Sequence, residues 1–303
     1  MNILIVGATG VLGQETLRRL LADGYQVRAM TRSPDRGREL ARQGASVVIG
    51  DLIDAESLAR ACDGVDRVFV AAHSALGRGR YRSEAVDDAG HRALIDAARV
   101  AGVDRFVYTS ALGAAPDHPV DFFRTKFAVE QYLQSSGLDF AVLRPSAFME
   151  WHAHTFNGKS VLERGRTTLF GSGNKPRNFV AARDVAQIAV IALLTASPRQ
   201  RILEVGGPGN FSNNQVAQLY ARCAGIEPRI GHVPAAVVKA IGWIARPLHP
   251  GLSRVMRLSS LPDDACPESF DPANLLREYS IELTSLEAFV RERVAEARVS
   301  DPR

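Results

Sequence analysis

The sequence predicts an α/β fold, a doubly wound parallel sheet followed by a smaller C-terminal lobe. Three observations carry this. Short apolar runs alternate with stretches of helical spacing through the first half of the chain. Most of these runs are apolar at consecutive positions, as strands covered on both faces require. A glycine-rich turn, "GATGVLG" at residues 7–13, separates the first run from the first helical stretch.

The elements follow in order. "NILIV" is a buried strand ended by Gly7, and "VLGQETLRRLLADG" a helix stopped at Gly24. "QVRAMTR" is a second strand, "PDRGRELARQG" a helix ending at Gly44, and "SVVIG" a third strand. "DAESLARACDG" opens on an aspartate cap and closes on glycine. "DRVFVAA" is a fourth strand, "SEAVDDAGHRALIDAARVAG" one long helix, and "RFVYTS" a fifth strand. "VDFFRTKFAVEQYL" is helical, and "DFAVLRPS" a sixth strand. Strands joined by crossover helices form a parallel sheet with right-handed connections, and such sheets bind ligands at their carboxyl edge. Beyond residue 146 the pattern changes. "TTLFGSGNKPRNFVAARDVAQIAVIALL" is turn-rich and then helical, "RILEVGG" is a strand, and "SNNQVAQLYARCAG" a helix. The expected division is a ligand-binding core over residues 1–146 and a smaller lobe over 147–303, with segments returning to the core.

Composition narrows the function. The chain has 303 residues, is 46% hydrophobic and 23% charged, and carries a net charge of +4, which is ordinary for a globular protein. Its basic residues are scattered, so nucleic acid is not an expected partner. Cys62, Cys223 and Cys266 are odd in number and far apart, so neither a disulfide framework nor a metal site is expected. A reducing, cytoplasmic setting follows. "MNILIVGATG" runs directly into a buried strand, so no signal peptide is expected. "VAQIAVIALLTA" is too short to span a bilayer, so no transmembrane segment is expected either. The expected oligomeric state is monomer or homodimer.

The glycine turn has the form of a dinucleotide site. Gly7 permits the tight turn, Gly10 lets the backbone approach a pyrophosphate, and Gly13 lets helix and strand pack closely. The helix N-terminus then offers free N–H groups to phosphate. After the second strand, where an acid would bind a ribose 2′-hydroxyl, the sequence reads "MTRSPDR". Arg32, with Ser33 and Arg36, suits a 2′-phosphate, so NADP(H) is expected over NAD(H). The alternative for Arg32 is a solvated loop arginine. Asp35 caps or charges the next helix. In "GDLID", Asp51 has two readings, acceptor for an adenine amino group or turn residue, and Leu52 packs on the adenine ring.

In "VDFFRTKFAVEQYL", Lys126 lies four residues after Phe122, on the same helix face. A tyrosine at 122 would complete an acid/base pair; phenylalanine has no proton to give. Lys126 has two candidate tasks, holding ribose hydroxyls or donating a proton, against a bland reading as a surface lysine. "FMEWHAHTF" supplies apolar pocket material in Phe148, Met149, Trp151 and Phe156, with His152 or His154 as substitute acids or as satisfied lobe residues. Residues 234–258, "PAAVVKAIGWIARPLHPGLSRVMRL", read as a lobe helix with basic flanks, or as an apolar face for a protein or a peripheral membrane contact.

Together these stretches resemble the atypical short-chain dehydrogenase/reductases, especially the NmrA-like branch. The resemblance covers nearly the whole chain: "GATGVLG", "GDLIDAESLARACDGVDRVF", "RFVYTSALGA", "KFAVEQYLQSSGLDFAVLRPSAFME" and "LFGSGNKPRNFVAARDVA". It implies an NAD(P)-binding Rossmann core and a C-terminal substrate lobe. It implies a phosphate loop of Gly7, Thr9, Gly10, Val11, Leu12 and Gly13, and Arg32 as the 2′-phosphate contact. It further implies Ala71, Ala72 and His73 beside the cofactor ribose, and Pro145 and Ser146 beside the nicotinamide. Ser110 matches the family's active-site serine and Lys126 its lysine. The family's tyrosine position is residue 122, so the chain departs from the full pattern there, and Phe122 joins the expected acceptor pocket with Phe148, Met149, Trp151 and His152. The expected activity is NADPH-dependent reduction of a quinone-like or conjugated carbonyl acceptor, whose own conjugation spreads the developing charge. The alternatives are a redox-silent NADP(H)-binding sensor or assembly factor, and a sugar-nucleotide epimerase or dehydratase.

Overall fold

The computed structural model describes residues 1–195, 201–246, 248–261 and 268–300; Cys266 lies outside them. Twelve strands are described: β1 (Asn2–Val6), β2 (Gln26–Thr31), β3 (Ser46–Ile49), β4 (Arg67–Val70), β5 (Arg105–Thr109), β6 (Phe140–Pro145), β7 (Ala147–Phe148), β8 (Arg166–Phe170), β9 (Arg177–Val180), β10 (Arg201–Val205), β11 (Asn210–Phe211) and β12 (Arg229–Val233). The α-helices are α1 (Val11–Ala22), α2 (Pro34–Arg42), α3 (Ala55–Cys62), α4 (His91–Val100), α5 (Asp121–Ser135), α6 (Lys159–Arg164), α7 (Ala182–Leu194), α8 (Asn213–Ala224), α9 (Ala235–Ala245), α10 (Pro250–Ser259), α11 (Ala273–Glu278) and α12 (Leu286–Ser300).

The fold is α/β, with a seven-stranded sheet in the order β10-β6-β5-β4-β1-β2-β3. The pairs among β1 to β6 are all parallel. The strands are apolar at successive positions because helices cover both faces: Ile3, Leu4 and Ile5 of β1 are all fully buried. The chain runs outward from β1 through β2 to β3, then restarts at β4 on the other side of β1. The switch point therefore lies between the carboxyl ends of β1 and β4, where Gly7 and Ala71 follow their strands.

Two structural units partition the chain. The first comprises residues 1–144, 185–203 and 249–251. One face of its sheet packs Leu4, Val6, Phe106, Tyr108 and Val142 against Leu94, Ile95 and Leu133 of the helices. Arg105 is buried at the amino end of β5, where it donates to the Ala192 carbonyl and pairs with Asp139 at 2.9 Å. The second unit comprises residues 145–184, 204–248 and 252–303. It has a three-stranded sheet, β11-β9-β7, and a parallel pair, β12-β8. Its core joins Met149, Phe179, Val216, Tyr220, Phe289 and Val290. A capping box between Ser212 and Gln215 starts α8. Arg183 grips Glu292 through both carboxylate oxygens at 3.0 Å, which ties α12 to the start of α7.

Two elements differ from expectation. The helix expected over residues 83–102 is π-helical over Glu84–Gly90 and α-helical only from His91. The wider turn coincides with buried Asp87, whose carboxylate accepts from Ser74 N at 2.6 Å and Ser83 Oγ at 2.5 Å. Residues 234–258 hold two helices rather than one, because Pro250 starts a new helix at a position where its missing N–H costs nothing.

Candidate functional site

The turn after β1 is shaped by backbone contact. Gly7 has φ +96°, and a Cβ there would lie 2.6 Å from Ala72 N. A Cβ on Gly13 would lie 2.1 Å from the Gly7 carbonyl oxygen. Both glycines are thus required by the protein itself. Gly10 is different. Its φ of −83° suits any residue, and a Cβ would meet only the Gly7 oxygen at an ordinary 3.5 Å. What a side chain at Gly10 would obstruct is the open cleft in front of it. The first turn of α1 has no side-chain cap and no acid, so no side chain opposes its N–H groups.

The cleft has a volume of about 360 Å³ and is lined by Gly7, Thr9, Gly10, Arg32, Ser33, Arg36, Asp51, Leu52, Ala71, Ala72 and His73. Val11, Leu12 and Gly13 belong to the first turn of α1. The Arg32 guanidinium stacks 4.5 Å above the Tyr81 ring, and the Tyr81 hydroxyl donates to Asp51 Oδ2 at 3.1 Å. Asp51 Oδ1 accepts from Ile53 N at 3.3 Å, a local turn contact. Asp35 forms an ion pair with Arg38, and Ser33 caps α2. These residues can hold a dinucleotide: diphosphate against the α1 terminus, and a 2′-phosphate against Arg32 and Arg36.

Lys126 is not a surface lysine; it is 2% exposed. Its ammonium donates to the Thr109 carbonyl at 2.9 Å and stands 4.7 Å from the Tyr108 ring centre and 5.7 Å from that of Phe122. Burial pushes its pKa down to about 8, and the charges of Asp87 and Glu130 oppose that shift. The buried His91 ring is pushed down to about 4, by burial first and Lys126 second. Phe122 is half-buried, edge-on to Phe123 at 5.4 Å and to His73 at 6.3 Å. The Tyr108 hydroxyl is buried without a partner among the described residues, and burial raises its pKa well above the ordinary tyrosine value.

Ser110 is buried, and its hydroxyl donates to Glu130 Oε1. Glu130 is fully buried and held by Arg144 through both oxygens, at 3.0 and 2.5 Å. The serine proton is thereby committed to a carboxylate. Spacing could have found Glu130, which follows Phe122 and Lys126 at i+8 and i+4 on the same helix face. Nothing local marks Arg144, Asp87 or Tyr81.

In the second unit, Pro145 and Ser146 are buried, and the Ser146 hydroxyl donates to Asn178 Oδ1 at 2.7 Å. Asn178 Oδ1 also accepts from Gly207 N at 2.7 Å, and Nδ2 donates to the Gly207 and Gly209 carbonyls at 3.1 Å. It is a node with no sequence signal. Met149 is core, Phe148 and His152 are half-buried, and Trp151 is exposed. His152 packs edge-on to Phe156 at 5.7 Å. His154 shares a 3.1 Å hydrogen bond with the Tyr220 hydroxyl, and burial lowers its pKa, which favours the satisfied-residue reading.

Residues 7–196 match the model of a family described as NAD(P)H-binding. An NAD(P)H azoreductase of Xenophilus azovorans is 33% identical over 224 residues, 74% of each chain. A photosystem II assembly factor of Guillardia theta is 30% identical over 234 residues, 77% of this chain and 74% of its own. The NADPH-dependent quinone oxidoreductase of Escherichia coli, solved with NADPH, has a TM-score of 0.72 over 96% of this chain and 99% of that one. Its identity of 24% makes this a likeness of fold.

Proposed function

The chain belongs to this NAD(P)H-binding family, the NmrA-like atypical short-chain dehydrogenase/reductases, and from that premise we propose that it is an NADPH-dependent reductase of quinone-like or conjugated acceptors. One observation carries the reading. Lys126 is buried beside a half-buried phenylalanine, while the Ser110 hydroxyl donates its proton to Glu130. The proposed site can orient a cofactor, but it has no hydroxyl at position 122, and its Ser110 proton is committed to a carboxylate. Loss of a positioned acid costs roughly 10²–10⁴-fold. A quinone or conjugated acceptor tolerates that loss, because its own π-system carries the charge. When bound, NADPH supplies the hydride. Lys126 fixes the cofactor ribose and holds a positive charge near the reacting carbon, Arg32 and Arg36 select the 2′-phosphate, and Phe122 forms one wall for a flat acceptor. The azoreductase relative, which by its name uses NAD(P)H to reduce azo groups, is consistent with this.

The similarity to an assembly factor favours a second reading, a dinucleotide sensor without turnover. NADPH oxidation against a panel of quinones, azo compounds and simple ketones separates the two. Turnover of the conjugated compounds and little of the ketones is expected. NADPH binding without turnover of any of them favours the sensor.

A further inference from the structure

Helix α9 inverts the usual pattern of a surface helix. It buries only Val238 and Gly242, one turn apart, the latter close to Met256 of α10. Its outward face is apolar: Val237, Ile241 and Ile244 recur at i, i+4 and i+7, Ile244 is 65% exposed, and Trp243 is 77% exposed. Leu248, just beyond the helix, is also exposed. Lys239 and Arg246 fall at the rim of that face, past Trp243, and both are exposed without an ion-pair partner among the described residues.

The charge along this stretch of chain is one-sided. The chain has 33 acidic residues in 303, yet residues 228–262 contain none while carrying Arg229, Lys239, Arg246, Arg254 and Arg257. A second copy of the chain would bring the same positive rim against itself, so charge argues against self-association. An outward apolar face with a tryptophan at its edge and unneutralised lysine and arginine at its rim matches the boundary of an anionic bilayer. No described helix is long and apolar enough to cross a membrane, so the contact is peripheral.

We propose that α9 docks on an anionic lipid surface, with Val237, Ile241 and Ile244 entering the headgroup boundary and Lys239 and Arg246 contacting acidic headgroups. The proposal is independent of turnover. The test is co-sedimentation of the full chain with vesicles of phosphatidylglycerol and phosphatidylcholine, beside pure phosphatidylcholine vesicles. Preferential, salt-sensitive binding to the anionic vesicles is expected. Lys239→Gln and Arg246→Gln should each weaken it by about fivefold, and Ile241→Ser with Ile244→Ser should abolish it. All are exposed positions, and unchanged melting curves and NADPH binding check that the variants fold. Equal or absent binding to both vesicle types would overturn the proposal. So would a concentration-dependent dimer that the isoleucine double variant dissolves.

Discussion

At the scale of single residues, position 122 decides which chemistry the proposed site can do. The Phe122 ring lies beside Lys126, where the resemblance leads one to expect a tyrosine, and it is half-buried. A hydroxyl added there has room to find water or a partner, so Phe122→Tyr should change stability by no more than about 0.5 kcal/mol. It should raise NADPH-dependent reduction of a simple ketone by about 10²-fold, while quinone reduction changes less. A folded, NADPH-binding variant that gains on neither acceptor would remove the missing acid as the limiting part. Lys126 itself gives a signed pH dependence. Its pKa falls from 10.5 in the unfolded chain to about 8 in the fold. Between those values the unfolded chain binds more protons, so this residue makes stability rise with pH across that window. The contribution is full above 10.5 and is lost as pH falls through about 8. Its size is on the order of 3 kcal/mol. Denaturant titrations of the parent and Lys126→Met at pH 7 and pH 10 should show the rise only in the parent. Parallel pH profiles would place the charge elsewhere.

At the scale of elements, most of the fold was legible because strands buried on both faces and capped helices leave local marks. β1 to β6 and β10 fall where apolar runs predict them, and Asp54 caps α3 as its sequence suggests. The π-helical turn at Glu84–Gly90 was not legible, since nothing in the local sequence marks a wider turn within a helical stretch. Nor were the pairings Ser110–Glu130–Arg144, Arg32–Tyr81 and Ser146–Asn178, which join residues far apart in sequence. The glycine turn was legible as a motif, but only the structure separates its glycines by task. Gly13→Ala would push a Cβ to 2.1 Å from a backbone oxygen, so α1 must shift away from β1, at a cost of about 1–3 kcal/mol or more. Gly10→Ala meets no such contact. The first variant should lower the melting temperature and weaken NADPH binding together. The second should melt like the parent while its NADPH dissociation constant rises about tenfold or more. A Gly10→Ala variant with parental affinity would mean that no phosphate approaches there.

At the scale of the whole molecule, every described residue lining the candidate cofactor cleft lies before residue 90, yet the unit that holds the cleft is not a contiguous piece of chain. It takes back residues 185–203, which contain most of α7 and the start of β10. Val185, Ile188, Val190 and Leu193 of α7 are buried there, at 9% exposure or less. Burying four such side chains is worth roughly 1.5–3 kcal/mol each, about 6–12 kcal/mol together. That is as large as the whole net stability of an ordinary domain, about 5–15 kcal/mol. The same segment supplies the carbonyls of Ala192 and Leu193, which accept from Arg105 and Arg67. It also supplies the strand that covers the outer edge of β6. A fragment of residues 1–146 would keep the full phosphate loop, Arg32, Ser110 and Lys126. It would lose the helix over its apolar face, leave the guanidinium of Arg105 short of a partner, and expose an edge strand to pairing with other chains. The expectation is that this fragment aggregates or stays unfolded and does not bind NADPH, whereas the full chain binds and is stabilised by it. Circular dichroism and NADPH titration of the two proteins make the comparison. A monomeric fragment with cooperative melting and parental affinity would show that the returning segment is dispensable, and that the cleft is built by the first 146 residues alone.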